Sequence, residues 1–221
     1  MAIPHLYKYL PSIYVDPTLD FGEILFRNLT YFRQHEGKVR GDAYEGIHKD
    51  HPGTDITLSI LNTGRQSVGK FAFLNSTNPD HVFAFCLSTL LSKELMIEFE
   101  CDACIEIFQP EEFIRRVQFV LARKISVHKI GLLSQFVNYY SPSEEARFNI
   151  KDPTKLVFAK DKSYAKQEEF RLSFGSRQAF KLIQQIVQPH HDPFDDAING
   201  VCKDRLITIG KIHDIARLVS I

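Results

Sequence analysis

HVFAFCLS, residues 81–88, is an apolar run that is too short for a helix, and it predicts a buried β-strand. Comparable runs lie on both sides of it along the chain. Each predicts a further strand: HLYKYL (5–10), ITLSIL (56–61), FVNYYS (136–141), EEFRLSF (168–174) and RLITIG (205–210). In GEILFRNLTYF (22–32), Ile24 and Phe26 occupy every second position, which is the period of a strand. LMIEFECDACIEIF (95–108) predicts two strands around Asp102, and LVFA (156–159) predicts a shorter one.

Three segments carry helical signals. Pro110 is followed at once by acidic residues and later by basic ones up to Arg123, the charge order that a helix dipole favours. SRQAFKLIQQIV (176–187) predicts an amphipathic helix with Ser176 as its N-cap, and HDIARLV (213–219) predicts a closing helix. Helices and strands do not alternate regularly, so we predict an α+β fold with mostly antiparallel strands.

The predicted organisation is a single domain over residues 1–221. Its C-terminal part, 176–221, is predicted as helix–strand–helix, and this part either belongs to the core or is an added element. Residues 34–54 are polar and carry several glycines, so they predict a long loop, and loops of this length in compact domains are usually functional or mobile.

Composition limits the partners and the compartment. The 221 residues contain 27 Lys plus Arg and 27 Asp plus Glu, so no net charge indicates a nucleic-acid or membrane surface. No apolar run reaches the ~18 residues of a membrane span, and the start MAIPHLYKYL lacks the pattern of a secretory signal. With only 4 cysteines, a disulfide scaffold is excluded, and we expect a cytoplasmic protein without a membrane partner.

Motifs for metal and nucleotide sites are weak. Cys101 and Cys104 have the spacing of half a zinc site or of a redox pair, but there is no second C-x-x-C. The histidines at 48 and 51 and at 190 and 191 lie in polar loops. We therefore expect core thiols and solvated histidines, with no metal. G-x-G-x-x-G, G-x-x-x-x-G-K-[ST] and G-x-S-x-G are all absent from the sequence.

The most informative segment is KDKSYAKQEEFRL, residues 160–172. It places two adjacent carboxylates, Glu168 and Glu169, at the start of a strand and surrounds them with basic residues. Neighbouring residues of a strand face opposite sides, so one carboxylate is expected in a cleft and the other at the surface. A solvated, charged edge strand is the alternative interpretation.

An ordered series of short boxes runs from residue 6 to residue 172. The boxes are LYKY (6–9), GEILF (22–26), YFR (31–33), GDAYEG (41–46), FCLS (85–88), DACIEI (102–107), VNY (137–139) and YAKQEEFRL (164–172). This order resembles a broad bacterial family of mobile and defence loci that looks like a distant branch of the ADP-ribosyltransferase fold. The last box is also similar to a strand of DarT-type toxins, which ADP-ribosylate DNA. CmdT-like toxins, which modify mRNA, are a further relative.

The resemblance implies a split antiparallel β-sheet core with flanking helices and NAD bound as a substrate in its cleft. It implies Glu169 as the catalytic residue and Glu168 as an accessory charge, although a slip of one residue would exchange them. Breaking the bond between nicotinamide and ribose creates an oxocarbenium-like sugar, a charge problem that glycosidases solve with carboxylates.

The same resemblance implies the residues that bind NAD. Tyr7 or Lys8, in the box that ends at Tyr9, would anchor the ribose. Arg33 or Arg40 would bind the pyrophosphate, and solvated loop arginines are the alternative. The remaining candidates are Tyr44, as a stacking ring or a loop anchor, and Ser88, as a site serine or a strand-end cap.

The acceptor is expected to be nucleic acid, RNA or DNA, ahead of a protein. Five lysines fall between residues 151 and 166, and the turn before the catalytic strand recognises the substrate in ADP-ribosyltransferases. Lys160, Lys162 and Tyr164 are therefore the expected substrate-binding residues. A toxin or phage-defence effector of this kind would need a neutralising antitoxin protein.

Two other functions remain open at this point. Lys8 stands where DarT-type enzymes have His, GDAYE replaces an Asn-Asp-Pro-Phe-Glu box, and Tyr164 replaces Trp. These departures favour a non-catalytic binding module of the same fold. A metal-dependent nuclease or hydrolase would combine Glu168 and Glu169 with His48 and His51.

Overall fold

The structure is a computed structural model, and it describes residues 2–34, 44–144, 148–189 and 200–220. Arg40, the histidines at 190 and 191 and the first half of the GDAYEG box (41–43) lie outside the described residues. The described part is mixed α+β with mostly antiparallel strands, as the sequence predicts. Within these ranges, no helix is both long and apolar enough to cross a bilayer.

Among the described residues, the main sheet has eight strands. They are β1 (Leu6–Leu10), β2 (Glu23–Asn28), β7 (Val82–Ser88), β8 (Ala103–Ile107), β9 (Leu133–Phe136), β12 (Glu169–Gly175), β14 (Asp204–Thr208) and β15 (Ala216–Val219). Smaller sheets pair the remaining strands, namely β3 (Ile47–Asp50), β4 (Ile56–Ile60), β5 (Arg65–Gly69), β6 (Phe71–Thr77), β10 (Asn138–Tyr140), β11 (Ala159–Asp161) and β13 (Leu182–Pro189). The helices are α1 (Val15–Phe21), α2 (Leu29–Gln34), α3 (Lys93–Glu98), α4 (Pro110–Ala122) and α5 (Pro153–Leu156).

The sheet branches at β7. One edge of β7 pairs fully with β12, from Ser88 opposite Glu169 to Val82 opposite Gly175. The other edge is shared, because Phe83 and Ala84 pair with β2 whereas only Ser88 pairs with β1. Strands β1 and β2 therefore diverge, and a cleft opens between them beside residues 85–87.

The main core lies on one face of this sheet. Ile24 and Phe26 of β2 are buried there, which confirms the alternation that the sequence shows. Helix α4 covers this face with Phe113, Val117 and Leu121, all at most 1% exposed. The helix predicted from Pro110 to about Arg123 is thus confirmed, with its acidic residues in the first turn.

The C-terminal part differs from the prediction. The predicted helix at 176–187 is wrong, since β13 occupies Leu182–Pro189 and pairs with β6. Phe180 has a φ of 55°, which lies outside the right-handed helical region, so no helix continues through this residue. Its apolar residues come in adjacent pairs, a helical spacing, so in the strand Ile183 and Val187 stay about half exposed. The β-branched residues of the segment favour a strand.

The predicted closing helix at 213–219 is also wrong, because Ala216–Val219 forms β15 on the edge of β8. The strand predicted at 205–210 is confirmed as β14, which pairs with β2. Both C-terminal strands β14 and β15 are therefore edges of the main sheet.

Two shorter strand predictions need correction. In residues 95–108 the first half is the short helix α3, which Ser92 caps through its hydroxyl oxygen, and only β8 is a strand. Residues 156–159 were expected to be a strand, but Leu156 ends α5 and β11 begins only at Ala159.

Gly22 joins α1 to β2 in a conformation that only glycine adopts easily. Its φ is +65°, and an added Cβ would lie 2.1 Å from the carbonyl oxygen of Gly210. We expect Gly22→Ala to lower the free energy of unfolding by about 2 kcal/mol or more, because backbone strain and a backbone clash add.

Gly64→Ala is the matched control for this variant. Gly64 has a similar φ of +66°, but nothing lies within 4 Å of its added Cβ, so only the backbone strain remains. Urea unfolding of both variants measures the difference. Equal losses of stability would contradict the close packing of Gly22 against Gly210.

Candidate functional site

The cleft between β1 and β2 contains a cavity of about 450 Å³. Its lining includes side chains of β1, α1, β2, α2, β7, β11, β14 and the start of β12, and the polar residues that line it are Tyr7, Lys8, Tyr9, Tyr14, Thr18, Glu23, Arg27, Tyr31, Glu45, Cys86, Ser88, Lys160, Gln167 and Glu169. Six of these are predicted site residues that are far apart along the chain, namely Tyr7, Lys8, Tyr9, Ser88, Lys160 and Glu169. The fold thus gathers half of the twelve predicted site residues around one cavity.

Glu169 lies in this cavity with both carboxylate oxygens bonded. Arg171 donates from Nε to Oε1 at 2.7 Å, and Lys160 donates from Nζ to Oε2 at 3.1 Å. Glu169 is only 5% exposed, so these ion pairs lie in a poorly solvated environment. The side chain of Lys160 also donates to Oε1 of Gln167 at 2.9 Å.

Glu45 completes a network of four buried charges. It accepts two hydrogen bonds from the guanidinium of Arg171, at 2.7 and 3.0 Å, and lies 3.5 Å from Nζ of Lys160. We call Glu45, Lys160, Glu169 and Arg171 the charge network. Its two cations balance its two carboxylates, which is the arrangement that makes buried charges tolerable.

The local backbone explains why Glu169 rather than Glu168 points inward. Glu168 has a φ of 42° and precedes β12, so the strand begins only at Glu169. The amide of Glu169 donates to the hydroxyl of Tyr139 at 2.9 Å, which fixes this register. Glu168 is exposed and accepts a hydrogen bond from Thr89, and Arg171 follows Glu169 on the same face of the strand.

The charge network keeps Glu169 ionised. Burial by itself would raise the pKa of Glu169, but the attraction of Arg171 and Lys160 outweighs it and lowers this pKa far below its usual range. Burial would likewise lower the pKa of Lys160, yet Glu169 and Glu45 raise it above the ordinary lysine value. The carboxylate and the ammonium therefore stay charged across the physiological range.

Cys86 is protonated and is not a nucleophile. Burial, together with the charge of Glu169, raises the pKa of its thiol to about 12. The thiol forms a hydrogen bond with the carboxylate of Glu169. The backbone carbonyl of Cys86 accepts a hydrogen bond from Nζ of Lys8 at 3.0 Å. Lys8 therefore bridges the gap between β1 and β7.

Aromatic rings form the walls of the cavity. Tyr7, Tyr9 and Phe99 lie on the β1 side, and Tyr31 and Phe32 lie on the α2 side. Tyr9 is anchored, since its hydroxyl donates to the carbonyl of Leu90 at 2.6 Å and accepts from the amide of Ser92. Rings on both sides of a cleft suit a ligand with flat, unsaturated groups.

Several predicted residues have other surroundings than expected. Lys160 was expected on an exposed turn, but it is 3% exposed and belongs to the charge network. Arg33 was expected to bind pyrophosphate, but it is 8% exposed and donates from Nε to the carbonyl of Glu45 at 2.7 Å. These partners were not predicted, because the sequence alone does not show which basic side chains find buried carboxylate or carbonyl groups.

The contacts of Ser88 and Tyr44 are those of a strand-end cap and of a loop anchor, the structural alternatives that were predicted for them. The hydroxyl of Ser88 donates to the carbonyl of Gln167 and accepts from the amide of Leu90, as a strand-end serine does. Tyr44 stacks under Nζ of Lys49, 2.7 Å from its ring centroid, and it is not among the residues that line the cavity. Lys162 is exposed, and Tyr164 is half-buried beside Lys160.

Sequence reasoning missed Glu45, Arg171 and Arg27. The spacing of Glu169 and Arg171 by two residues within a predicted strand was a signal, because such residues share a face. Glu45 gave no comparable signal, since it meets Arg171 across 126 residues of sequence. Arg27 lies in a segment whose alternation predicted a strand, but that pattern did not predict a site residue there.

The residues considered for metal binding are dispersed. Within the described ranges, no group of three or more His, Cys, Asp and Glu side chains is gathered around one point. Cys104 is fully buried, and Cys101 packs at the edge of the same cluster with Tyr9 and Leu95. His48 is 1% exposed and packs against Tyr140, with ring centroids 4.5 Å apart.

Comparison with known proteins adds no relative. No protein-family model, no curated protein and no solved structure matches this chain.

Removing one charge from the charge network should lower the stability of the fold. We expect Glu45→Gln to lower the free energy of unfolding by about 3–5 kcal/mol, because Arg171 and Lys160 would then outnumber the remaining buried carboxylate. Chemical unfolding measures the effect. Glu112→Gln is the control, as Glu112 pairs with Arg115 and Arg116 on the solvent side of α4, and it should change stability little. Equal effects of the two variants would contradict the account.

His48 should make the protein less stable in mild acid. Burial lowers the pKa of His48 from 6.5 to about 4, and neither ring nitrogen has a hydrogen-bond partner. Between pH 6.5 and 4 the unfolded chain therefore binds a proton that the folded chain does not, so stability falls as pH falls through this range. His48→Phe should reduce this loss when unfolding is measured at pH 7 and pH 5. An identical pH dependence in the variant would contradict the burial of a neutral ring.

Proposed function

We propose that the cleft binds NAD and that the protein is an NAD-dependent ADP-ribosyltransferase. The observation that carries this proposal is Glu169, an ionised carboxylate held inside an aromatic cleft at the branch of an antiparallel sheet. The resemblance of the sequence boxes implies the same residue for the same role. We also propose that the main sheet is the split sheet of the ADP-ribosyltransferase fold.

The residues present fit such a substrate. Tyr7, Phe99 and Phe32 offer ring faces for the nicotinamide or adenine groups, and Glu169 offers an acceptor for a ribose hydroxyl. Lys8 lies on β1 and donates to the carbonyl of Cys86 on β7, and in this proposal it anchors the ribose. The chain thus supplies both the stacking surface and the carboxylate that the chemistry needs.

The reaction breaks the bond between the anomeric carbon and the nicotinamide nitrogen. Nicotinamide leaves with the bonding electron pair, and the sugar develops positive charge before an acceptor nucleophile adds to it and loses its proton. A carboxylate bound to the ribose stabilises this charge more strongly in the transition state than in the bound substrate. The contacts of Glu169 with Arg171 and Lys160 keep it in one orientation, so no reorganisation is needed during the reaction.

We place the acceptor on the side of the exposed lysines. Lys151, Lys155 and Lys162 are exposed on the segment that precedes β12, next to the catalytic strand. Such a surface suits the phosphates of RNA or DNA. This part of the proposal makes the protein a bacterial toxin or phage-defence effector, acting in the cytoplasm and neutralised by an antitoxin protein.

One observation favours a second function, a non-catalytic binding module. Both carboxylate oxygens of Glu169 already have cationic partners, so its charge is compensated before any ligand arrives. A compensated carboxylate stabilises a developing cation less than a free one does. In this case the cleft would bind a nucleotide-like ligand without cleaving it.

Substitution of Glu169 separates the two functions. We expect Glu169→Gln to reduce nicotinamide release from labelled NAD at least 100-fold, because the uncharged amide cannot stabilise the oxocarbenium-like sugar. Release of nicotinamide and transfer of label to RNA, single-stranded DNA or protein would be followed separately. A wild-type protein that binds NAD but releases no nicotinamide would support the binding module instead.

Two control variants accompany this experiment. Glu168→Gln removes the neighbouring, exposed carboxylate and should retain activity. Glu45→Gln also removes one negative charge from the charge network but leaves Glu169 in place. The activity that this variant loses shows how much of the effect of Glu169→Gln comes from disturbing the charge network. Full activity of a folded Glu169→Gln protein, verified by circular dichroism, would refute the proposed enzyme.

A further inference from the structure

Arg27 is a cleft residue whose charge the site described above does not use. It lies on β2, half-buried, and its guanidinium lies over the ring of Tyr31 at 3.9 Å from the centroid. Both residues line the cavity that contains Glu169. Within the described parts of the chain, Arg27 makes no ion pair and no side-chain hydrogen bond.

The neighbouring carboxylates do not neutralise Arg27. Asp204 is its cross-strand partner on β14, yet the two side chains form no ion pair among the described residues. Glu23 lies four residues away on the same face of β2, and Glu45 already binds Arg171. The other cations of the cavity differ from Arg27, since Lys160 belongs to the charge network and Lys8 bonds to the carbonyl of Cys86.

The register of the sheet gives the distance from Arg27 to Glu169. Arg27 is opposite Ala84 on one edge of β7, and Glu169 is opposite Ser88 on its other edge. Four residues along β7 and two strand spacings across it separate their backbones by about 13 Å and about 10 Å respectively. A ligand that meets both side chains is therefore elongated, with its anionic part away from the reacting sugar.

We infer that Arg27, oriented by Tyr31, is the phosphate-binding residue of the cleft and recognises the pyrophosphate of a dinucleotide. A planar guanidinium offers paired donors that match phosphate oxygens, and stacking on a ring leaves those edges free. This inference rests on the proposed function, since NAD carries a pyrophosphate. It moves the pyrophosphate contact from Arg33, which is buried against Glu45, to Arg27.

Binding titrations with two probes test this inference. ADP-ribose carries the pyrophosphate, whereas nicotinamide riboside carries none. We expect Arg27→Gln to weaken ADP-ribose binding about tenfold to 100-fold, the loss typical of a hydrogen bond to a charged group. Its affinity for nicotinamide riboside should stay at the wild-type value. Arg27→Lys, which keeps the charge but loses the fork, should show a smaller loss for ADP-ribose.

Arg205→Gln is the matched control, because Arg205 is an exposed arginine on the adjacent strand and does not line the cavity. It should bind both probes like the wild type. The inference is overturned if Arg27→Gln binds ADP-ribose at the wild-type affinity, or if it loses both probes equally. It is also overturned if the wild-type protein binds neither ADP-ribose nor inorganic pyrophosphate.

The outcomes keep this inference separate from the proposed function. If ADP-ribose binds through Arg27 but NAD is never cleaved, the phosphate site stands and the enzyme proposal fails. If NAD is cleaved and Arg27→Gln changes neither the KM for NAD nor the affinity for ADP-ribose, the phosphate site fails and the enzyme proposal stands.

Discussion

The buried ion pairs of Arg171 hold the site together. Its guanidinium binds Glu169 at 2.7 Å and Glu45 at 2.7 and 3.0 Å, and Lys160 adds a second cation between the same carboxylates. These contacts connect β12, β11 and the segment before β3. Because burial penalises every unpaired charge, the segments that carry these residues must be positioned together. The floor of the cleft is thereby fixed before a ligand binds.

The branch of the sheet at β7 creates the space above this floor. An ordinary sheet would pair the whole edge of β7 with one neighbour, and the middle of the strand would be covered. Here β2 takes one end of that edge and β1 takes the other, so the space beside residues 85–87 is filled by side chains and the cavity. Lys8 and the aromatic rings line this space, and Arg27 marks its far side.

Local sequence patterns predicted some of this arrangement, and long-range contacts explain the rest. The alternation in β2 is a local signal, and it predicted that Ile24 and Phe26 share one face of a strand. The adjacent carboxylates at the start of β12 predicted that one of them faces a cleft, and only the family resemblance selected Glu169. The segment 176–187 was assigned to the wrong element because its apolar spacing is helical, whereas its backbone pairs with β6, a contact made across more than 100 residues of sequence. The partnership of Glu45 with Arg171 had no local signal.

A crystal structure of the protein with ADP-ribose bound would show whether the cleft is a dinucleotide site. We expect the ligand in the cleft between β1 and β2, with a ribose hydroxyl bonded to the carboxylate of Glu169 and the pyrophosphate bonded to the guanidinium of Arg27. An empty cleft at a saturating concentration of ADP-ribose, or a ligand bound elsewhere, would contradict it.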